Sequence, residues 1–100
     1  VGSKLYDPLE PVILNLIHMT AGAARAARIP VSVCGELASR EEAAPLLLGL
    51  GIRQLSMHGN AVPRVKRAIR AVSLAQCDAI ATAALAATSA DVVREIIRSL

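Results

Sequence analysis

Residues 30–38 read Pro-Val-Ser-Val-Cys-Gly-Glu-Leu-Ala. The two valines predict a short β-strand over residues 31–34, because β-branched side chains favour strands. Cys34 is its last residue, and Gly35 then breaks the strand. Enzymes built from parallel strands and helices place reactive side chains at the C-terminal ends of strands. Cys34 is therefore the first candidate for a functional residue.

The segment before this strand predicts one long helix over residues 8–28. Asp7 is a residue type that caps helices, and the proline that follows is favoured in a first turn. Apolar residues recur every three or four positions and indicate one buried face, while His18 falls on the opposite, polar side. The residues assigned to the buried face are Leu9, Val12, Ile13, Leu16, Ile17, Thr20, Ala23, Ala24 and Ala27.

The segment after the strand predicts a helix, a turn and a second strand. Ser39 and Glu42 match a capping box, which starts a leucine-rich helix. Gly49 and Gly51 are expected to end that helix and to permit a tight turn. Residues 52–57, Ile-Arg-Gln-Leu-Ser-Met, then predict the second strand.

Three further helices complete the chain. A turn at residues 58–60 leads into a basic helix over residues 63–72. Ser73 and Gln76 match another capping box, which predicts an alanine-rich helix reaching about residue 88. Ser89 is expected to cap the last helix.

The order of these elements predicts an α/β fold. Strands that alternate with helices pair in parallel through right-handed crossovers. Two parallel strands cannot cover both of their faces by themselves, so a parallel sheet needs further strands around it. The chain has 100 residues, of which 54% are hydrophobic and one is aromatic, and this is material for at most one small domain. We therefore expect part of a larger parallel sheet or barrel.

Composition and charge argue against several classes of function. Two cysteines do not form a disulfide framework and no targeting segment is apparent, so we expect a reducing cytoplasm. No apolar run approaches the roughly 18 residues of a membrane span. The net charge is +3, and four basic residues cluster on the helix predicted at 63–72. Such clusters are typical of a solvated face, and motifs for nucleic-acid recognition are absent. We expect neither a membrane nor a nucleic acid as a partner.

Five segments together resemble one known family. They are Tyr-Asp-Pro-Leu at 6–9, Cys-Gly-Glu-Leu-Ala at 34–38, Pro-Leu-Leu-Leu-Gly-Leu-Gly at 45–51, Leu-Ser-Met at 55–57 and Val-Pro-Arg-Val-Lys at 62–66. They resemble the C-terminal end of enzyme I, the phosphoenolpyruvate–protein phosphotransferase of the bacterial sugar phosphotransferase system. The residue pair at 39–40 and the segment 58–61 depart from the family's usual pattern. Pyruvate phosphate dikinase has a related Cys-Gly-Glu motif, but the third and fifth segments fit enzyme I better.

The resemblance implies a (β/α)8 barrel that binds phosphoenolpyruvate and Mg²⁺. Residues 1–100 would form the C-terminal quarter of that domain, with its last two strands and their flanking helices. The family's metal ligands, phosphate-binding arginines and phosphorylated histidine lie elsewhere, so we expect no metal ligand here. The implied partners are phosphoenolpyruvate and pyruvate, a phosphocarrier protein that engages an N-terminal domain, and a second copy in a homodimer. Of the family's catalytic residues, only the cysteine maps onto this chain, at Cys34.

The chemistry of phosphoenolpyruvate explains what a cysteine could do. Transfer of the phosphoryl group to a histidine leaves the enolate of pyruvate, which must gain a proton at carbon from a general acid. An ordinary thiol, with a pKa of about 8.5, is protonated at neutral pH and can recover its proton after use. The alternative is that Cys34 is a small buried residue at a strand end, because free cysteines are among the most buried side chains.

Three other residues are weaker candidates. Glu36 either orients the loop after Cys34 or is a solvated carboxylate. His58 follows the second strand and should face the same end as Cys34, although a loop histidine without substrate contact is the simpler interpretation. Cys77 shares a helix face with apolar residues and is predicted to belong to the core. A zinc site built from the two cysteines and two histidines lacks the short paired spacing that such sites show.

Two functions follow from the sequence, with a third left open. The first is the catalytic-acid segment of a phosphoenolpyruvate-dependent phosphotransferase, which would be inactive by itself. The second is a non-catalytic dimerisation or assembly module derived from the same barrel, because apolar helices and unpaired strand edges promote association. The third is an independent helical domain that binds another partner.

Overall fold

The computed structural model describes residues 7–99, so Tyr6 and the start of its motif lie outside the described residues. They contain five α-helices and two short β-strands: the first two helices alternate with the strands, and the last three helices follow in succession. The helices are α1 (Pro11–Ala27), α2 (Ala44–Gly49), α3 (Val62–Arg70), α4 (Leu74–Leu85) and α5 (Ala90–Arg98), and the strands are β1 (Val33–Cys34) and β2 (Leu55–Ser56). Single 3₁₀ turns lie at Leu37–Ser39, Glu41–Ala43 and Gly59–Ala61.

The two strands pair in parallel, which confirms the pairing predicted from the alternation of strands and helices. Val33 lies opposite Leu55, and Cys34 lies opposite Ser56. The Val33 amide also donates to the Gln54 carbonyl oxygen at 3.0 Å. Both strands are shorter than predicted, because only two residues of each are paired within the described chain. The fold is α/β, mostly helical, with a small parallel sheet.

Helix α1 begins at Pro11, three residues later than predicted. The residue before a proline is pushed out of the helical region, and Glu10 is accordingly extended with φ −57° and ψ 134°. Asp7 does not cap the helix. Its Oδ1 accepts a hydrogen bond from the Leu9 amide at 3.0 Å and closes a turn ahead of the helix.

The buried face of α1 is also different from the predicted one. Leu14 and Ala21 are buried, whereas Val12 and Leu16 are 64% and 54% exposed. Apolar residues surround most of this helix, so their spacing alone does not select the packed side. His18, predicted to face solvent, is exposed, and its Nδ1 lies 3.1 Å from the Leu50 carbonyl oxygen. Because a carbonyl only accepts hydrogen bonds, Nδ1 carries the proton in this contact.

The core is centred on helix α2, which packs most extensively against α4. Gly49 makes this approach possible, because a Cβ atom there would lie 2.1 Å from the Cys77 carbonyl oxygen. Gly51 adopts φ +105°, which confirms the turn predicted at this glycine. The buried core cluster comprises Leu9, Leu14, Ala21, Leu37, Ala43, Leu46, Leu47, Leu50, Ile52, Ile80, Ala81, Ala84, Ala90, Val93 and Ile97.

Two of the predicted helix caps are confirmed. The Gln76 amide donates to Ser73 Oγ at 3.1 Å, and the Ser73 amide donates to Gln76 Oε1 at 2.8 Å. Ser89 Oγ accepts from the Val92 amide at 3.3 Å and caps α5. The contacts at both caps satisfy amides that have no partner inside the helix, and those at Ser73 are reciprocal. Helix α4 ends at Leu85, a little earlier than predicted.

Among the described residues, no single helix combines the length and apolar character needed to cross a membrane. The segments Gly59–Arg70 and Leu74–Leu85 reach that length and composition only as a pair, and the two are bent by 99°.

Replacing Gly49 with alanine tests the close approach of α2 to α4. We expect Gly49→Ala to lower the free energy of unfolding by about 2–3 kcal/mol, because the new methyl group forces backbone to move. Gly22→Ala is the matched control, since a Cβ atom there meets nothing within 4 Å. In a helix interior that change should stabilise by roughly 0.5–1 kcal/mol. Urea unfolding measures both, and equal stability of the Gly49→Ala variant and the parent would disprove the packing.

Candidate active site

Cys34 occupies the C-terminal end of β1, where the parallel partner strand also ends. It lies opposite Ser56, the last residue of β2. The loops after both strands therefore leave the sheet at the same edge. Cys34 is exposed, so the alternative of a buried structural cysteine is wrong for the described chain. The thiol is therefore accessible to solvent in the described chain.

Short-range hydrogen bonds fix the loop after β1. Gly35 has φ +83°, a conformation that other residues rarely adopt, so the chain turns directly after the thiol. The Ser39 hydroxyl donates to the Gly35 carbonyl oxygen at 3.1 Å. Arg40 Nη2 donates to Glu36 Oε1 at 2.6 Å. The predicted capping box of Ser39 and Glu42 is wrong, because the Ser39 hydroxyl closes this turn instead.

Two clefts border this loop. The first has a volume of about 330 Å³, and its lining includes Asp7, Cys34, Glu36, Arg40 and Arg94. The second, of about 550 Å³, is lined by residues that include Glu36, Ser39, Ser56 and His58. Glu36 borders both clefts. His58 lies at the predicted end of the sheet but does not line the first cleft, so the structure does not join it with Cys34.

A long-range ion pair forms one wall of the first cleft. Arg94 Nη2, on the last helix, donates to Asp7 Oδ2. Arg94 Nη1 also donates to Asp91 Oδ1 at 2.9 Å. The Asp7–Arg94 pair joins residues 87 positions apart and ties the segment before α1 to α5.

The surroundings of Asp7 favour its charged form. Burial alone would raise the pKa of Asp7, but the Leu9 amide and the guanidinium groups of Arg94 and Arg40 outweigh it. The pKa of Asp7 is therefore lowered below its usual value. Asp7 is therefore negatively charged at neutral pH and neutralises Arg94 at the wall of the cleft.

Sequence reasoning missed this ion pair. By sequence, Asp7 is a candidate helix cap, and Arg94 has no signal beyond its place on an amphipathic helix. Both interpretations of Glu36 hold in part. Its side chain is 79% exposed to solvent, and it also accepts a hydrogen bond from Arg40 in the loop after Cys34. Only the tertiary fold could bring Asp7 and Arg94 to the thiol.

The remaining sequence candidates do not join a common site. Cys77 is buried in the core, as predicted. Burial and the neighbouring charge of Asp78 raise the pKa of its thiol, so it is poorly reactive. In the part of the chain that the structure describes, no group of three or more His, Cys, Asp or Glu side chains could hold a metal ion. The described residues therefore do not form a magnesium site.

The fold and site together define an α/β unit whose parallel strands present an accessible thiol beside a charged cleft. The sequence matches the family described as PEP-utilising enzyme, PEP-binding domain, over residues 2–74. The chain belongs to this family of phosphoenolpyruvate-utilising enzymes. Most of α4 and all of α5 lie beyond the matched residues.

Individual relatives extend the likeness to nearly the whole chain. It is 41% identical over 92 residues to the phosphoenolpyruvate-protein phosphotransferase of Streptomyces coelicolor, covering 92% of this chain and 16% of that protein. It is 34% identical over 97 residues to that of Mycoplasma genitalium, covering 97% of this chain and 17% of that protein. The multiphosphoryl transfer protein of Rhodobacter capsulatus is 43% identical over 94 residues, which are 94% of this chain and 11% of that protein. The chain spans between 11% and 17% of the length of these relatives.

The lowered pKa of Asp7 gives the Asp7–Arg94 pair a defined pH dependence. The ion pair contributes to the free energy of unfolding at pH values above the pKa of an unfolded aspartate, about 3.9. This contribution is lost as the pH falls through the lower pKa that Asp7 has in the folded chain. We expect Asp7→Asn to reduce the free energy of unfolding by about 1 kcal/mol at neutral pH. The difference from the parent chain should shrink below about pH 4. Urea unfolding across this range measures it.

Asp91→Asn is the matched control for this measurement, because Asp91 contacts the same arginine but is 94% exposed. We expect a much smaller loss of stability from it. A loss from Asp7→Asn that is equally large at pH 3 and at neutral pH would contradict the ionic origin of the effect.

Proposed function

We propose that this chain is the C-terminal end of the phosphoenolpyruvate-binding domain of a phosphoenolpyruvate–protein phosphotransferase of the phosphotransferase system, in which Cys34 is the general acid. One observation carries the proposal. Cys34 is exposed at the C-terminal end of a parallel strand, where α/β enzymes place reacting groups. The names of the relatives and the match to a phosphoenolpyruvate-binding family supply the substrate class.

The proposed step belongs to the second half of the reaction. In the first half, the bond between phosphorus and the enol oxygen of phosphoenolpyruvate breaks, and a bond from phosphorus to a histidine nitrogen forms. The electron pair stays with the oxygen as the enolate of pyruvate. The Cys34 S–H then gives its proton to the terminal carbon, which becomes a methyl group. The thiolate recovers a proton from water, so atoms and charge balance over the cycle.

The exposed apolar surface of α1 supports a larger parent fold. Val12, Leu16 and Met19 are 64%, 54% and 68% exposed, although such side chains are normally covered when they cluster. Each described strand also has only one partner. We infer that further strands of a (β/α)8 barrel cover these surfaces. Such a barrel would bring the Mg²⁺ ligands, and an N-terminal domain would meet a cytoplasmic phosphocarrier.

The same exposed surface favours a second candidate function. A non-catalytic module that joins two copies into a homodimer would use an apolar helix face of this kind. Light scattering of the isolated chain distinguishes the two. Association through α1 predicts a mass that rises with concentration and falls to that of a monomer in Leu16→Lys.

A chimeric enzyme tests the catalytic proposal. In it, this chain replaces the matching 92 residues of the Streptomyces coelicolor relative. We expect the chimera to form pyruvate from phosphoenolpyruvate, and Cys34→Ala to slow pyruvate formation by about 10²–10⁴-fold, the range that general acids contribute. A coupled assay for pyruvate, with excess phosphoenolpyruvate and phosphocarrier, measures the rate.

Cys77→Ala in the same chimera is the control, because it removes the other thiol at a buried position away from both clefts. It should leave the rate of pyruvate formation close to that of the parent chimera. A Cys34→Ala chimera that forms pyruvate at the parental rate would overturn the role of Cys34. The isolated chain should form no pyruvate.

A further inference from the structure

A third cleft lies at the end of the sheet opposite Cys34. It has a volume of about 570 Å³ and is lined by residues from the last turns of α1 and from the segments that precede the two strands. Pro30 and Val31 lie ahead of β1, and Arg53 and Gln54 lie directly ahead of β2. Enzymes of parallel strands and helices react at the other end of their strands. A ligand in the third cleft is therefore separate from the chemistry proposed for the thiol.

The charge of the third cleft is positive and unbalanced. Its charged side chains are Arg25 and Arg53, and none of the described residues that line it is acidic. The ion pairs of the described chain involve Arg40 and Arg94, so neither arginine of the third cleft is paired with a carboxylate there. The first cleft, in contrast, has as many carboxylates as arginines. Because a guanidinium keeps its charge at physiological pH, the third cleft carries two lasting positive charges.

Backbone contacts hold Arg53 in place. Its Nη1 donates to the Leu48 carbonyl oxygen at 2.7 Å and to the Ile52 carbonyl oxygen at 3.1 Å. These bonds occupy both hydrogens of Nη1 and tie Arg53 to the last turn of α2, but they leave the hydrogens of Nη2 and Nε. A guanidinium that is already held in position loses little conformational freedom when it binds an anion.

Gly51 allows Arg25 to approach the same region. A Cβ atom at Gly51 would lie 3.2 Å from Ala21 Cβ and 3.3 Å from Arg25 Nη2, so this guanidinium lies over the turn that precedes Arg53. The two arginines therefore reach one cleft from separate elements, α1 and the connection between α2 and β2. Guanidinium groups with several N–H donors match the oxygens of a phosphate group, which accept more than one hydrogen bond.

The remaining walls of the third cleft indicate what accompanies the anion. Ile29 is 61% exposed, and it lines the cleft together with Pro30, Val31 and two alanines. Sites for small molecules have volumes of about 300–1,000 Å³ and apolar walls with a few polar groups. The third cleft has these properties, and its apolar wall favours an organic group attached to the phosphate.

We propose that the third cleft binds a small organic phosphate monoester, whose phosphate group is held by Arg25 and Arg53. The organic group lies against the apolar wall beside Ile29. A ligand bound in this way joins the end of α1 to the start of β2. The site is additional to the one at Cys34 and does not depend on the role of that thiol.

A purely structural role of the two arginines predicts a different behaviour. Arg53 would then only satisfy carbonyl groups near the end of α2, and Arg25 would only complement the negative C-terminal end of α1. Their loss would change the stability of the chain without changing its response to phosphate. A binding role predicts a saturable response to phosphate that requires both arginines.

Titration of the full chain with phenyl phosphate tests the proposal, with the backbone amide NMR signals of Val31 and Gly51 as the readout. Sodium chloride at the same ionic strength is the blank. We expect saturation with a midpoint on the order of 1 mM, and a several-fold weaker midpoint for inorganic phosphate, which lacks the apolar group. Arg25→Gln and Arg53→Gln should each weaken the binding of phenyl phosphate by about tenfold or more, because each removes a charged donor.

Arg64→Gln is the matched control, since Arg64 also donates to a backbone carbonyl oxygen, that of Asn60, but lies outside the third cleft. It should leave the midpoint unchanged. A response that does not saturate, an equal response to sodium chloride, or an unchanged midpoint in Arg25→Gln overturns the proposal. Equal midpoints for phenyl phosphate and inorganic phosphate reject the organic part of the ligand.

The test remains decisive if one variant is unstable. If Arg53→Gln fails to fold, Arg25→Gln still decides, because Arg25 is exposed on α1. None of these measurements follows pyruvate formation. Failure of phosphate binding in the third cleft therefore leaves the role of Cys34 to the chimera, and an active Cys34→Ala chimera leaves the third cleft unaffected.

Discussion

Parallel pairing between two residues of β1 and two residues of β2 holds the site together. The pairing sets Cys34 opposite Ser56, and because parallel strands end at the same edge, the loops that follow them meet there. The loop after β1 borders both clefts, and the loop after β2 lines only the second. So short a pairing contributes little stability of its own. The most extensive packing in the described chain is instead that of α2 against α4, at Gly49.

Local patterns in the sequence were sufficient for most of the fold. The alternation of strands and helices predicted parallel pairing, and the capping box at Ser73 predicted the start of α4, because both depend on residues close in sequence. Predictions of helix starts and caps failed where a nearby residue favoured another backbone conformation or took the hydrogen bond. Pro11 displaced the start of α1, and the Ser39 hydroxyl bonded back to Gly35 instead of capping a helix. The packed side of α1 depends on which helices meet it, and the spacing of its apolar residues does not contain that information.

The candidate site, like the fold, could be predicted from the sequence only in part. The position of Cys34 at a strand end could be predicted because strand, thiol and glycine are consecutive, and its role as general acid stays a prediction. The Asp7–Arg94 pair could not be predicted, because its partners are 87 residues apart and each has an ordinary local explanation. The charge environment of a thiol is a tertiary property. The last helix lines the cleft beside Cys34 through Arg94, in addition to packing into the core.

Protonation by Cys34 is tested most directly by following the new carbon–hydrogen bond. Phosphoenolpyruvate labelled stereospecifically with tritium at its terminal carbon can be turned over in deuterium oxide by the chimeric enzyme, with the pyruvate trapped at once as lactate. The chirality of the methyl group then reports which face of the enolate received the deuteron. A fixed thiol predicts addition to one face by the parent chimera and loss of that preference in the slow residual turnover of Cys34→Ala. Unchanged facial preference without the thiol would show that another group donates the proton.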